Sequence, residues 1–235
     1  MSRKSLEDID VAILAGGLGT RIRDTLGDTP KVLAPINGRP YLDYLLDWLD
    51  GFGASRIIMC LGHLAQKVED HLQGREGVEC IVEPEPLGTG GAVRFCRDAF
   101  RSNHLLVMNG DTWLEMDLDP FVATHLKSNS NISMVCVQVD DVSRYGNVII
   151  HEHSVMGFTE KNLNNTGPGF INGGAYLLSQ KVLDELCRMN VHSIENDFFF
   201  KLKPGSIRAF IPEKANFIDI GTPESLDAAV SVLPV

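Results

Sequence analysis

Short apolar runs alternate with amphipathic stretches through the first half of the chain. Ile9–Leu14 is a mostly apolar run of strand length. Tyr41–Leu49 sets Tyr41, Leu42, Leu45, Leu46 and Leu49 on one face at helical spacing. The same reading gives a strand over Arg56–Leu61, a helix over Leu64–Leu72 and a strand over Val78–Val82. A helix opened by glycines follows over Gly88–Phe100, then a strand over His104–Met108. Such a β-α alternation predicts an α/β fold with a mostly parallel sheet covered on both faces. Ligands of these sheets sit at the carboxyl ends of the strands. Three segments therefore share that edge: Gly16–Arg21, Glu83–Gly91 and Asn109–Asp111.

The pattern changes after Asp111. Ile132–Val139, Asn147–Ile150, Ser154–Glu160 and Phe170–Leu178 read as strands between polar, Gly- and Asn-rich turns. Helices are expected over Ser179–Met189 and Pro223–Val232, the second with Thr222 as N-cap and Pro223 at the first helical position. A small β-rich lobe folded against the sheet is the expectation. No repeat, low-complexity tract or linker interrupts the chain, so a single domain is expected over 1–235, with halves 9–111 and 112–235.

Composition narrows the function. At 235 residues, 44% hydrophobic and 22% charged, the chain can bury a large core. Its net charge of −10 counts against a nucleic-acid partner, yet a cleft can still focus a few cations on a small phosphate ligand. Cys60, Cys80, Cys96, Cys136 and Cys187 are odd in number and widely spaced, which favours reduced thiols over a disulfide framework or a zinc site. Val11–Ala15 is too short for a signal peptide, and nothing approaches the ~18 apolar residues of a membrane span. A cytoplasmic location with no membrane partner is expected.

The chemistry concentrates in Ala15-Gly16-Gly17-Leu18-Gly19-Thr20-Arg21, with Thr29-Pro30-Lys31 behind it. A glycine-rich turn after a buried strand lets backbone N–H groups approach an anion, and Arg21 and Lys31 add full charges. The third glycine of a dinucleotide fingerprint is missing, and so is the Gly-Lys-Ser/Thr of a P-loop. Asp111, in Asn109-Gly110-Asp111, and Asp219, among apolar neighbours in Phe217–Pro223, need a compensating charge that a divalent cation supplies. A turn role for Asp111 and a capping role for Asp219 are the plainer alternatives. In Glu83–Ala92 two prolines stiffen an extended segment, and small residues then open a helix against which a flat base has room to lie. Glu160-Lys161 alone reads as a surface ion pair. The histidines His63, His71, His104, His125 and His192 read as structural or solvent-facing, and His151-x-His153 as a weak metal pair on a polar turn.

Taken in order, the glycine loop, Pro30-Lys31, Pro86–Gly91, Asn109–Asp111, Glu160-Lys161, Asn172–Gly174 and Asp219–Pro223 resemble the sugar-1-phosphate nucleotidyltransferases over nearly the whole chain. Glu85–Ala92, Arg144-Tyr145-Gly146 and Ile171–Gly174 are most similar to bacterial D-glycero-α-D-manno-heptose 1-phosphate guanylyltransferases. The resemblance implies a Rossmann-like, glycosyltransferase-A-like sheet with a sugar-binding lobe. It implies that Ala15, Gly16, Gly17, Gly19, Thr20, Glu83, Pro86, Gly88 and Thr89 meet the nucleotide, and that Arg21 and Lys31 hold its triphosphate. Asp111 and Asp219 would bind Mg²⁺. Asn109, Tyr145, Gly146, Glu160, Lys161 and Asn172 would receive the sugar phosphate. GTP and a sugar 1-phosphate are the implied partners, and a homo-oligomer is allowed. Glu83 stands where the family reads the base, with Glu85 as the alternative, and a carboxylate accepts both donors of a guanine edge. A mannose-1-phosphate guanylyltransferase or a uridylyltransferase on another sugar phosphate is the alternative within the family. A catalytically silent nucleotide-sugar-binding regulator is the alternative outside it.

Overall fold

In chain order the strands are β1 (Asp10–Ala15), β2 (Pro35–Ile36), β3 (Arg39–Pro40), β4 (Ile57–Leu61), β5 (Val78–Val82), β6 (His104–Asn109) and β7 (Thr112–Glu115). Then come β8 (Ile132–Val139), β9 (Asn147–His151), β10 (Ser154–Thr159), β11 (Gly169–Ser179), β12 (Ile207–Phe210) and β13 (Asn216–Asp219). The α-helices are α1 (Arg23–Leu26), α2 (Tyr41–Gly51), α3 (Ala65–Leu72), α4 (Gly88–Phe95), α5 (Leu118–Lys127), α6 (Gln180–Arg188) and α7 (Pro223–Val232). This computed structural model describes residues 4–164 and 166–234, so the outer ends of the 1–235 span lie outside the described residues.

One mixed sheet holds nine strands in the order β5-β4-β1-β6-β11-β8-β12-β10-β9. The first four run parallel, as the sequence pattern predicts. β1 and β4 read as nearly unbroken aliphatic runs because both faces are covered. Val11 and Ile13 pack in one core layer with α2 and α3, while Ala12 faces the other layer with α4 and α6. The β-rich half joins edge to edge: β11 pairs antiparallel with β6 from Ala175↔Met108 to Ser179↔His104. Both halves therefore share one sheet, and no backbone edge of β6 is left unpaired.

Several elements extend the sequence reading. The helix expected over Gly88–Phe100 ends at Phe95 and gives way to a 3-10 turn over Arg97–Ala99. α5 lay unassigned in the sequence pattern; Asp117 caps it by accepting the Asp119 N–H at 3.0 Å. β12 and the pair β7–β13 are further additions. Thr222 caps α7 as expected, its hydroxyl accepting the Ser225 N–H at 3.3 Å, with Pro223 at the first helical position.

Where α5 meets the sheet, His104 Nδ1 and His125 Nε2 share a hydrogen bond of 3.0 Å, and His125 Nδ1 lies 2.8 Å from Ser133 Oγ. Burial lowers the pKa of both rings, that of His125 to about 4 with the neighbouring His104 adding to it. All five cysteines are free, and no described helix is long and apolar enough to cross a membrane.

Candidate active site

At the carboxyl ends of β1, β5 and β6 the chain leaves an open cleft of about 390 Å³. Ala15, Gly16, Gly17, Gly19, Thr20 and Arg21 line it from the loop after β1, and Lys31 from the turn behind Pro30. Glu83, Pro86, Gly88 and Thr89 form a second wall; Asn109 and Asp111 form the floor. Thirteen residues singled out by sequence thus meet in one place, as the strand-end rule requires. The loop needs its glycines for close approach: a Cβ on Gly16 would stand 2.7 Å from Glu83 Oε1, and Gly19 holds φ +59°.

The floor is where charge converges. Lys31 Nζ donates to Asp111 Oδ2 at 2.7 Å, its own side chain only 14% exposed and that of Asp111 41%. Asp219 reaches the same spot because β13 pairs antiparallel with β7, placing Asp219 opposite Thr112, next in sequence to Asp111. The Ile220 N–H donates to the Asp111 carbonyl at 2.9 Å, which locks this crossing. Asp219 Oδ1 accepts the Gly221 N–H at 2.9 Å. A Cβ on Gly221 would lie 2.6 Å from Asp219 Oδ1, 3.3 Å from Lys31 Nζ and 3.5 Å from an Arg21 guanidinium nitrogen. Two cations and a carboxylate therefore crowd around one glycine, with Asp111 bound to one of them. Asp111 lines the cleft and Asp219 stands behind Gly221 at its edge; two carboxylates on facing backbone segments suit a hard divalent cation that completes its shell with phosphate oxygens and water. Among the described residues no group of three or more His, Cys, Asp or Glu is placed to hold a metal ion.

At the other end, Glu83 follows β5, its N–H donating to the Leu61 carbonyl at 2.8 Å. Its Oε2 accepts the Leu87 N–H at 3.3 Å. Burial raises its pKa, opposed by that N–H and by His192. His63 and His192 are exposed, in keeping with a solvent-facing reading, and both border the cleft. His63 was legible in principle, since it stands two residues past β4. The small residues of α4 also serve a different purpose from clearing a base. A Cβ on Gly90 would collide with Val191, and one on Gly91 would stand 2.8 Å from Leu87 Cβ. The segment 191–192 fills that room, tied down by the Gly90 N–H donating to the His192 carbonyl at 2.9 Å.

Of the sugar-phosphate candidates Asn109 lines the cleft, whereas Tyr145, Gly146, Glu160, Lys161 and Asn172 lie outside its lining. Asn109 packs over Gly174, whose N–H donates to Asn172 Oδ1 at 2.9 Å. Asn109 Oδ1 is buried without a hydrogen-bond partner, an acceptor available to a ligand. Tyr145 stands half-buried, edge-on to Phe217; burial and then the Asp219 charge raise its pKa. Gly146, at φ +84°, lies under the backbone of 159–161, with 2.5 Å between a Cβ there and the Thr159 carbonyl. Glu160 and Lys161 are exposed and border a separate depression with Asn162 and Asn164, outside the main cleft.

With this geometry in view, comparison with known proteins is direct. The family model described as nucleotidyl transferase matches residues 11–233. A D-glycero-α-D-manno-heptose 1-phosphate guanylyltransferase of Campylobacter jejuni is 35% identical over 217 residues, covering 90% of this chain and 94% of the relative. The enzyme of the same name from Aneurinibacillus thermoaerophilus is 30% identical over 220 residues, covering 92% and 94%. The crystal structure of HddC from Yersinia pseudotuberculosis complexed with GMP-PN superposes with a TM-score of 0.83 at 38% identity, over 95% of this chain and 98% of that one. Glycine loop, charged floor and near full-length matches agree, and the chain belongs to the nucleotidyl transferase family.

Proposed function

We propose that the protein transfers the GMP unit of GTP to a sugar 1-phosphate, D-glycero-α-D-manno-heptose 1-phosphate being the acceptor, and releases pyrophosphate. The observation that carries the reading is the meeting of Arg21, Lys31 and Asp219 around Gly221, beside Asp111. Arg21 and Lys31 would neutralise a triphosphate there, and Asp111 and Asp219 would hold the cation. The names of the 35% and 30% identical relatives and the GMP-PN bound to HddC support the choice of guanine and heptose.

A sugar 1-phosphate has a second pKa near ~6, so its oxygen is already anionic at neutral pH and needs no general base. The barrier is repulsion between anions. In an in-line displacement the acceptor oxygen bonds to the α-phosphorus as the bond to the β-phosphate oxygen breaks, and the electron pair leaves with pyrophosphate. Backbone N–H groups of Gly16, Gly17, Gly19 and Thr20 hold the phosphates with Arg21 and Lys31. Asp111 and Asp219 would hold Mg²⁺, which supplies Lewis-acid stabilisation of the phosphoryl oxygens when bound. Lys31 then exchanges Asp111 for a phosphate oxygen. Ala15, Pro86, Gly88 and Thr89 border the nucleoside, with Glu83 reading guanine. Asn109, Tyr145, Gly146, Glu160, Lys161 and Asn172 receive the sugar phosphate. On this reading residues 9–111 form the nucleotide half and 112–235 the acceptor half, with Asp219 reaching across the division. Five free thiols support a reducing, cytoplasmic setting.

Pyrophosphate release measured over a panel of nucleoside triphosphates and sugar 1-phosphates tests this. The highest kcat/KM is expected for GTP with the heptose 1-phosphate. Preference for UTP or dTTP refutes the base assignment, preference for mannose 1-phosphate refutes the acceptor, and no release with any pair refutes the function.

A further inference from the structure

Asn172 and Thr89 lie at the two ends of one hydrogen-bonded chain whose centre is Glu195, a residue with no part in the reading above. Asn172 Nδ2 donates to the Tyr176 hydroxyl at 2.7 Å, and that hydroxyl donates to Glu195 Oε1 at 3.0 Å. The other oxygen, Glu195 Oε2, accepts from Thr89 Oγ1 and from Ser193 Oγ, each at 3.1 Å. Thr89 Oγ1 in turn accepts the Ile194 N–H at 2.8 Å. Tyr176 is fully buried and edge-on to Phe199, so its hydroxyl has nowhere else to turn. Burial and the Glu195 charge both push its phenol well above the usual value, so it stays a donor at working pH.

The chain crosses a break in the sheet. The pairing of β11 with β8 shifts register between Asn172 and Tyr176, and Gly174 takes φ +73° there. A bulge of this kind re-aims a side chain but leaves it loosely held. Here the Asn172 amide is engaged at both ends, Oδ1 by Gly174 and Nδ2 by Tyr176. Its second N–H and second lone pair remain for a ligand.

We propose that Glu195 is a positioning residue: it orients the Asn172 amide toward the sugar phosphate through Tyr176, and holds Thr89 at the opening of α4 beside the nucleotide. The proposal rests on the function above for which substrate meets which end. A carboxylate is acceptor-only, so it fixes the direction of every bond in the chain. A glutamine in its place cannot. If its oxygen serves Thr89 and Ser193, its amide donates to Tyr176, whose proton then turns to Asn172 and forces that amide to flip away from Gly174. If its oxygen serves Tyr176, its amide donates to Thr89 and Ser193, and both hydroxyl protons lose their acceptor and turn elsewhere.

Two near-isosteric variants test this. Tyr176→Phe keeps the ring and cuts only the acceptor branch, so KM for the sugar phosphate is expected to rise about threefold to tenfold, with KM for GTP within about twofold of wild type. Glu195→Gln is expected to raise both KM values by at least about threefold. In the double variant the sugar-phosphate KM should match that of Glu195→Gln alone, because the acceptor branch is already broken. A merely structural role predicts lower melting temperatures with KM values unchanged, and that result overturns the proposal. A wild-type protein that releases no pyrophosphate refutes the function instead. The same variants are then compared by calorimetric titration with GTP and with mannose 1-phosphate as probes. Selective weakening of the sugar-phosphate Kd in Tyr176→Phe, and of both in Glu195→Gln, sustains the network; values all within about twofold of wild type overturn it.

Discussion

Acidification should destabilise this protein through one buried ring. His125 has an ordinary pKa near 6.5 when the chain is unfolded and about 4 when it is folded. The folded value is depressed, so the unfolded state binds the proton more tightly and stability falls as pH falls. The loss begins as pH drops through about 6.5 and is complete below about 4. At pH 5 these values give a penalty of about 2 kcal/mol, approaching about 3 kcal/mol at lower pH. Protonation would make both ring nitrogens donors, so that Ser133 Oγ and His104 Nδ1 must each accept. The lowered pKa of His104 acts in the same direction. Urea titrations at pH 7 and pH 5 measure the effect, with His125→Gln as the variant that cannot titrate. Wild type should lose about 2 kcal/mol more than the variant between the two pH values. Equal losses in the two proteins would refute the argument.

Four variants probe the cleft. Lys31→Ala leaves behind a carboxylate that is already 41% exposed, so stability should fall by under ~1 kcal/mol, while kcat/KM falls by about a hundredfold or more in pyrophosphate-release assays. Near-wild-type turnover would remove Lys31 from the site. Asp219→Asn can still accept the Gly221 N–H but cannot charge-balance a cation, so Mg²⁺-dependent turnover should vanish with the melting temperature preserved; retained turnover would leave a turn or capping role. Gly221→Ala inserts a methyl group among Asp219, Lys31 and Arg21 and should lower kcat/KM by about tenfold with the fold intact; an unaffected rate would mean that these groups move apart freely. Glu83→Gln should cost roughly 1.5–3 kcal/mol in kcat/KM for GTP, read from competition between GTP and UTP, and an unchanged preference would place base reading elsewhere.

The parallel centre of the sheet was legible because strands covered on both faces must be apolar throughout, which marks β1, β4 and β6 without any partner being known. α5 carried its own signal in Leu118, Phe121, Val122 and His125 at helical spacing behind Asp117. Pro120 looks like a breaker there, yet it falls in the first turn, where its missing N–H costs no bond. The four-residue strands β7, β12 and β13 are too short for periodicity to register; only their distant partners define them. In the cleft, the loops at strand ends were accessible by rule, and so Gly16–Arg21, Glu83 and Asp111 were found. His192 and Glu195 arrive from a segment with no repeating pattern, folded down onto α4 by Val191, Thr89 and Gly90. Their position depends on tertiary packing that a linear reading does not contain.

The pairing of β13 with β7 sets an order of events during synthesis. Domains take shape from the N-terminal side as the chain emerges, at about 5–20 residues per second. β1, β4, β5 and β6 can assemble early, and with them the glycine loop, Lys31 and Asp111. Asp219 is translated long afterwards and enters the floor only when β13 docks. The segments of the nucleotide cradle are therefore made many seconds before the second carboxylate. On the proposed function, completion of the last strand would work as a timer, chemistry starting only on molecules whose late segments have been made and correctly paired.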